Sequence, residues 1–86
     1  QLGSLKSQVK KEAEERETAK TWFFENFQAN TIDESLGLIP EEQLQQKYFK
    51  RSGFMKQKLS QQFPSYTDAF LDYLTEQFYE ELFPQD

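Results

Sequence analysis

The chain has 86 residues, a formal net charge of −5 and a mean hydropathy of −0.89, with 36% hydrophobic and 16% aromatic residues. It contains neither His nor Cys, which excludes imidazole bases, thiolate nucleophiles, zinc sites built on these residues and disulfides. Its three glycines are isolated, so a phosphate-cradling loop is excluded as well. We predict one small domain that is not an enzyme and has no cofactor and no metal site.

Residue usage predicts an all-α fold. Val and Ile are scarce, whereas Leu, Gln and Glu are abundant, and this mix favours helices over strands. No apolar run approaches the ~20 residues of a membrane span, and no signal-peptide pattern opens the chain. The compartment stays unknown, although a cytoplasmic location is favoured. Because the sequence begins at Gln1 rather than Met, we expect a piece of a larger protein.

The first predicted helix covers about 5–29. Its apolar residues share one face at 100° per residue, but this face has almost no apolar residues for nearly three turns. We therefore predict a polar helical extension over 1–19 that projects from a helical bundle over 20–84, with a tail at 85–86. The extension opens with heptad spacing, which fits either the end of a coiled coil or a frayed amphipathic end. The residues with this spacing are Leu2, Leu5 and Val9.

A short helical turn is predicted in the linker that follows. Thr31-Ile32-Asp33-Glu34 fits a capping box, and Gly37 is a suitable stop. The second long helix is predicted over about 41–62, because Pro40-Glu41-Glu42 fits a helix start. Its apolar stripe stays in phase across Gly53, which favours one continuous helix over a break at that residue.

The last predicted helix covers about 66–83, with a second capping box at Ser65-Tyr66-Thr67-Asp68. Together the elements predict a small antiparallel three-helix bundle. Its predicted core residues are Phe23, Phe24, Phe27, Leu44, Tyr48, Met55, Leu59, Phe70, Leu71, Leu74 and Phe78.

The last helix is apolar over more than half of its circumference, which is more than one buried stripe uses. We therefore predict a non-catalytic protein–protein interaction or self-assembly module, whose partner is another protein or a second copy. Aromatic residues that miss the core stripes are the predicted contacts, since aromatics are enriched among interface anchors. These candidates are Trp22, Phe54, Tyr73, Tyr79 and Phe83.

The basic residues suggest an alternative function. Residues 47–58 hold five bases and no acid, interleaved with aromatics, a pattern typical of surfaces that bind single-stranded nucleic acid. The flanking segments are acidic and would repel phosphates, so we favour charge balance inside the protein or with a protein partner. The basic candidates are Lys47, Lys50, Arg51, Lys56 and Lys58.

Overall fold

The structure is a computed structural model that describes the backbone of residues 2–84 and the side chains of residues 10–84. The described part is all-helical, which confirms the predicted fold class. It contains four helices rather than three, because the linker forms a helix of its own. None of these helices is both long enough and apolar enough to cross a membrane. The helices are α1 (Leu2–Asn26), α2 (Ala29–Leu36), α3 (Leu44–Gln62) and α4 (Asp68–Leu82).

The linker helix α2 differs from the predicted capped turn at its start and agrees with it at its end. It begins before Thr31, and Gln28 occupies the N-cap position without a side-chain hydrogen bond. At the other end Gly37 has φ 68°, and its N–H donates to the carbonyl oxygens of Asp33 and Glu34. This left-handed conformation is the one that glycine adopts without a steric cost.

The next two helices also shift by a few residues. α3 begins at Leu44 because the chain before it forms a turn, in which the Glu42 N–H donates to the Ile39 carbonyl over 3.1 Å. It then continues unbroken through Gly53, as the stripe predicted. α4 is capped by Thr67, whose hydroxyl oxygen accepts a hydrogen bond from the Phe70 N–H over 3.1 Å.

α3 runs antiparallel to both of its long neighbours. Its Lys56 pairs with Asp68 at the start of α4 over 2.8 Å, whereas its Arg51 lies against Phe83 just past the end of α4. Ring contacts show that α3 is also antiparallel to α1. The pairs are Trp22 with Phe63 and Phe27 with Phe54, each with centroids 5.7 Å apart.

α1 runs alongside α4 in the same direction. The Tyr66 hydroxyl, just before α4, donates to the Glu15 carbonyl over 3.2 Å, and further along the Phe23 and Phe78 rings stack at 5.8 Å. At 1.5 Å per residue the 25 residues of α1 measure about 37 Å, so the helix extends past the start of α4. The result is an elongated molecule of 52 × 21 × 19 Å.

The core lies where α1, α2, α3 and α4 meet. Two residues of the predicted core are exposed instead: Leu44 at 53% and Tyr48 at 44%. The reason is geometric. Arg51 already faces Phe83, just past α4, so Leu44, about two turns earlier on α3, lies beyond the end of α4. Tyr48 lies at the edge of α4, where its ring packs edge-on against that of Tyr79. The buried apolar residues are Ala19, Phe23, Ile32, Met55, Leu59, Leu71, Leu74, Phe78, Tyr79 and Phe83.

Candidate interaction site

Two of the five predicted contact residues are buried inside the chain. Tyr79 is 6% exposed and Phe83 is 8% exposed, so the expectation that they form a free second face of α4 is wrong. Both rings surround Arg51, whose guanidinium carbon lies 3.9 Å above the centre of the Phe83 ring. The Arg51 Nη1 also donates to the Tyr79 hydroxyl over 3.5 Å.

Contrary to the sequence prediction, Arg51 does not belong to an exposed basic patch. It is 5% exposed, and its Nε and Nη2 donate to the two carboxylate oxygens of Asp33, each over 2.7 Å. This bidentate geometry is the strong form of an Arg–carboxylate pair. A buried guanidinium requires such a partner, so Arg51 joins α2, α3 and the end of α4 and is withdrawn from the surface.

The other three predicted contact residues differ in their exposure. Trp22 and Phe54 are half-buried and pack against the core. The Trp22 ring is held edge-on by Phe27 and Phe63, both at 5.7 Å. Of the five predicted residues, Tyr73 alone is exposed, at 41%.

The most exposed apolar surface lies instead at the beginning of α3. Phe49 is 75% exposed, more than any other large apolar side chain in the described part of the chain. Tyr48 is its neighbour in the sequence, and Leu44 lies one turn before Tyr48 on the same helix, about 140° around the helix from Phe49. We call Leu44, Tyr48 and Phe49 the α3 patch. Ile39, in the preceding turn, is 54% exposed and adds a fourth large apolar side chain at this end of the molecule.

Acidic residues of α4 flank the α3 patch. Tyr48, whose ring lies 4.9 Å from that of Tyr79, forms one wall of a shallow cleft of about 150 Å³. The opposite wall is formed by Glu76 and Glu80. Among the described residues neither carboxylate has a salt-bridge partner, so the negative charge beside Tyr48 is not neutralised within the described chain.

A second concave surface lies between α1 and α4, and we call it the α1–α4 groove. Its volume is about 450 Å³. The Arg16 Nη1 donates to the Tyr73 hydroxyl over 3.4 Å across it, and this hydrogen bond raises the pKa of Arg16 above its usual value. Phe70 stacks with Tyr73 at 6.1 Å. The groove is lined by Glu12, Ala13, Arg16, Thr67, Ala69, Phe70 and Tyr73.

The four remaining basic candidates all have partners within the chain. Lys50 pairs with Glu42 over 3.2 Å, and Lys47 donates to the carbonyl of Pro40 over 3.3 Å. Lys58 lies 5.4 Å from the centre of the Phe54 ring. Lys56 has two salt bridges of 2.8 Å, to Asp68 and Asp72, and these hydrogen bonds raise the pKa of Lys56.

The basic residues therefore do not form one continuous patch. Lys56 is directed toward α4, whereas Lys50 and Arg51 are paired with acids that precede α3. In the described part of the chain, no three carboxylates converge as metal ligands would.

Sequence reasoning did not select the α3 patch. The hydrophobic period places Leu44 and Tyr48 on the core stripe, and Phe49 lies off that stripe. A signal was present: Phe49 lies 100° from Tyr48 on the helix and is preceded by Gln45 and Gln46, as on a solvated face.

Comparison with known proteins adds no further assignment. No family model matches the chain, and no curated protein or solved structure matches it at a significant level.

Proposed function

We propose that this chain is a non-catalytic helical protein–protein interaction module and that the α3 patch is its main contact surface. The observation that carries the proposal is the exposure of Phe49, 75%, beside two further large apolar side chains of the same helix. Several exposed large apolar side chains at one end of a molecule are typical of protein contact sites.

The energy available at the α3 patch suits a contact of moderate strength. Fully burying a Phe or Leu side chain contributes about 1.5–3 kcal/mol. Phe49 and Leu44 are 75% and 53% exposed, so covering both would contribute about 2–4 kcal/mol. The fold leaves most of the Phe49 side chain uncovered, so a binding role accounts for this residue better than a structural one.

The charges around the α3 patch favour a basic partner segment. Glu76 and Glu80 stand beside Tyr48, and neither has a salt-bridge partner among the described residues. A partner helix with apolar residues on one face and Lys or Arg along its edge would cover the rings and neutralise both carboxylates. Rim charges of this kind set the choice of partner and the association rate.

Nucleic-acid binding through residues 47–58 stays the alternative. The intramolecular partners of the five bases support protein binding instead, because a phosphate would have to displace them. We expect little binding of a single-stranded oligonucleotide near physiological salt. Affinity in the sub-micromolar range that falls steeply with added salt would favour the alternative, since phosphate contacts release counterions.

A defined peptide tests the proposal. We would use a labelled amphipathic helix of Leu and Lys, with a Leu and Glu peptide of the same pattern as control, and measure fluorescence anisotropy near physiological salt. The Leu/Lys peptide should bind and the Leu/Glu peptide should not. The double variant Leu44→Gln, Phe49→Gln should weaken binding at least about tenfold, which equals about 1.4 kcal/mol, because Gln keeps the helix propensity but removes the apolar surface.

Tyr73→Gln is the matched control, because it removes an exposed ring from the α1–α4 groove instead. It should leave the affinity for the Leu/Lys peptide unchanged. If Tyr73→Gln weakens binding and the α3 patch variant does not, the α3 patch is not the contact surface and the residue expected from the sequence is.

A further inference from the structure

We infer that the α1–α4 groove receives α1 of a second copy of this chain, so that two copies pair antiparallel with the two-fold axis close to Glu12 and Ala13. This contact is separate from the α3 patch and does not depend on the proposed function. Three features carry the inference: the face that α1 presents to the groove, the length of α1 beyond α4, and the order of charges along α1.

The sequence pattern of α1 continues the period of the groove face toward the start of the helix. Ala13 and Arg16 line the groove, and α1 is a continuous helix from Leu2. At 100° per residue, positions 2, 5, 9, 13 and 16 of a helix fall within an arc of about 80°. The sequence has Leu, Leu and Val at positions 2, 5 and 9, so aliphatic residue types continue the helical period of the groove face toward the start of α1.

This part of α1 lies beyond the helix that covers the rest of it. Tyr66, which precedes α4, contacts the backbone at Glu15, so about ten residues at the start of α1 extend past α4. Helices of this length are marginal in water without tertiary packing. A second helix along this part of α1 would supply that packing. In the open groove beside Ala13 the same helix would contact Phe70 and Tyr73.

The charges along α1 select the second copy and its direction. Residues 6–11 contain three lysines and no acid, whereas residues 12–17 contain four glutamates and one arginine. A parallel pair in register would place like charges together, which is unfavourable. An antiparallel pair centred near Glu12 and Ala13 brings the two copies of Glu12 together once, but it places Lys10 of each copy close to Glu14 and Glu17 of the other, so the attractive pairs outnumber the repulsive one.

Single cysteines test this arrangement, because the chain contains no native cysteine. In the antiparallel pair the two copies of residue 13 lie almost opposite each other, whereas the two copies of residue 5 are about 22 Å apart along the helices. A disulfide requires Cα atoms within about 7 Å. Mild oxidation should therefore produce a covalent dimer of Ala13→Cys and no dimer of Leu5→Cys, with Gln57→Cys on α3 as the control for random collision.

Charge reversal gives a second readout that needs no cysteine. Lys10→Glu should raise the dimer dissociation constant at least tenfold in sedimentation or light scattering. Adding Glu14→Lys and Glu17→Lys to it should restore association. The double variant Leu44→Gln, Phe49→Gln should leave the dimer unchanged, which separates this contact from the α3 patch.

Three outcomes would overturn the inference. The first is a wild-type chain that stays monomeric at several hundred micromolar. The second is efficient cross-linking of Leu5→Cys, which indicates a parallel coiled coil. The third is a dimer that the α3 patch variant abolishes, which indicates that the two copies meet through α3.

Discussion

Phe78 and Phe49 show how differently two regions of this molecule use the same residue type. Phe78, on α4, is 1% exposed and its ring contacts those of Phe23 and Phe24. Phe49, on α3, is 75% exposed. The first belongs to the aromatic core between the parallel helices α1 and α4. The second belongs to the α3 patch and lies off the stripe of α3 that faces the core.

The comparison shows that a residue can follow the hydrophobic pattern of the core and still be exposed where helices of unequal length are paired. α3 has 19 residues and α4 has 15, so some of α3 must lie outside the contact. Leu44 and Tyr48 keep the period of the core stripe and are nevertheless exposed. Apolar residues left outside a contact are the ones to examine for binding.

Replacing one phenylalanine in each region should give the largest contrast. Phe78→Ala should lower the free energy of unfolding by about 3–5 kcal/mol, because it leaves a cavity in the core. Phe49→Ala should change it by less than about 0.5 kcal/mol, as exposed substitutions do. Urea denaturation followed by circular dichroism measures both. Equal losses would mean that the α3 patch is covered within the folded chain.

A buried ion pair and an exposed ion pair should also differ in how much they contribute to the free energy of unfolding. Asp33→Ala should cost about 3 kcal/mol of unfolding free energy, because it removes the carboxylate that accepts two hydrogen bonds from the buried Arg51. Glu42→Ala, which removes the partner of the exposed Lys50, should cost less than about 1 kcal/mol. The same urea titrations compare the two variants. A neutral Asp33→Ala would show that Arg51 does not hold α2 against α3.

Substitutions at the N-caps of α4 and α3 should change stability by smaller amounts and in opposite directions. Thr67→Ala should cost about 1 kcal/mol, because the Thr67 oxygen caps α4. Gln43 precedes α3 with φ −67° and ψ 145°, close to the backbone of Thr67, but its side chain makes no capping bond. Gln43→Ser should therefore stabilise the chain by about 0.5–1 kcal/mol in thermal or urea unfolding. A loss of stability instead would show that the turn before α3 depends on the Gln43 side chain.

The smallest effect is expected at alkaline pH. Burial, and secondarily the nearby Glu15, raise the pKa of Tyr66 above its usual value of 10.0. The folded state therefore keeps this phenol protonated when the unfolded chain has begun to lose the proton. Stability should be unaffected below pH 10 and should fall as the pH rises through the higher pKa of the folded state. Tyr66→Phe should make this decline shallower when urea midpoints are compared across the range, and an unchanged decline would assign it to other groups.

Local features of the fold could be predicted from the sequence because they depend on neighbours along the chain. The all-helical class, the stop at Gly37, the continuity of α3 through Gly53 and the turn before α4 all follow from helix propensity, backbone freedom and side-chain capping. Each of these determinants acts within about one helical turn. The boundaries still moved by up to three residues, since a turn at Pro40 competed with an earlier start of α3.

Only the tertiary structure decided which side chains are covered. Arg51 and Asp33 are 18 residues apart, and nothing in the local pattern indicates that they pair. Arg51 also contacts Tyr79 and Phe83, which are buried, whereas Phe49 on the same helix is exposed. Burial depends on where one helix ends relative to another, and this is a property of pairs of helices distant in the sequence. The sequence by itself determined where the helices form, and the packing of α2, α3 and α4 decided which of their faces are left for a partner.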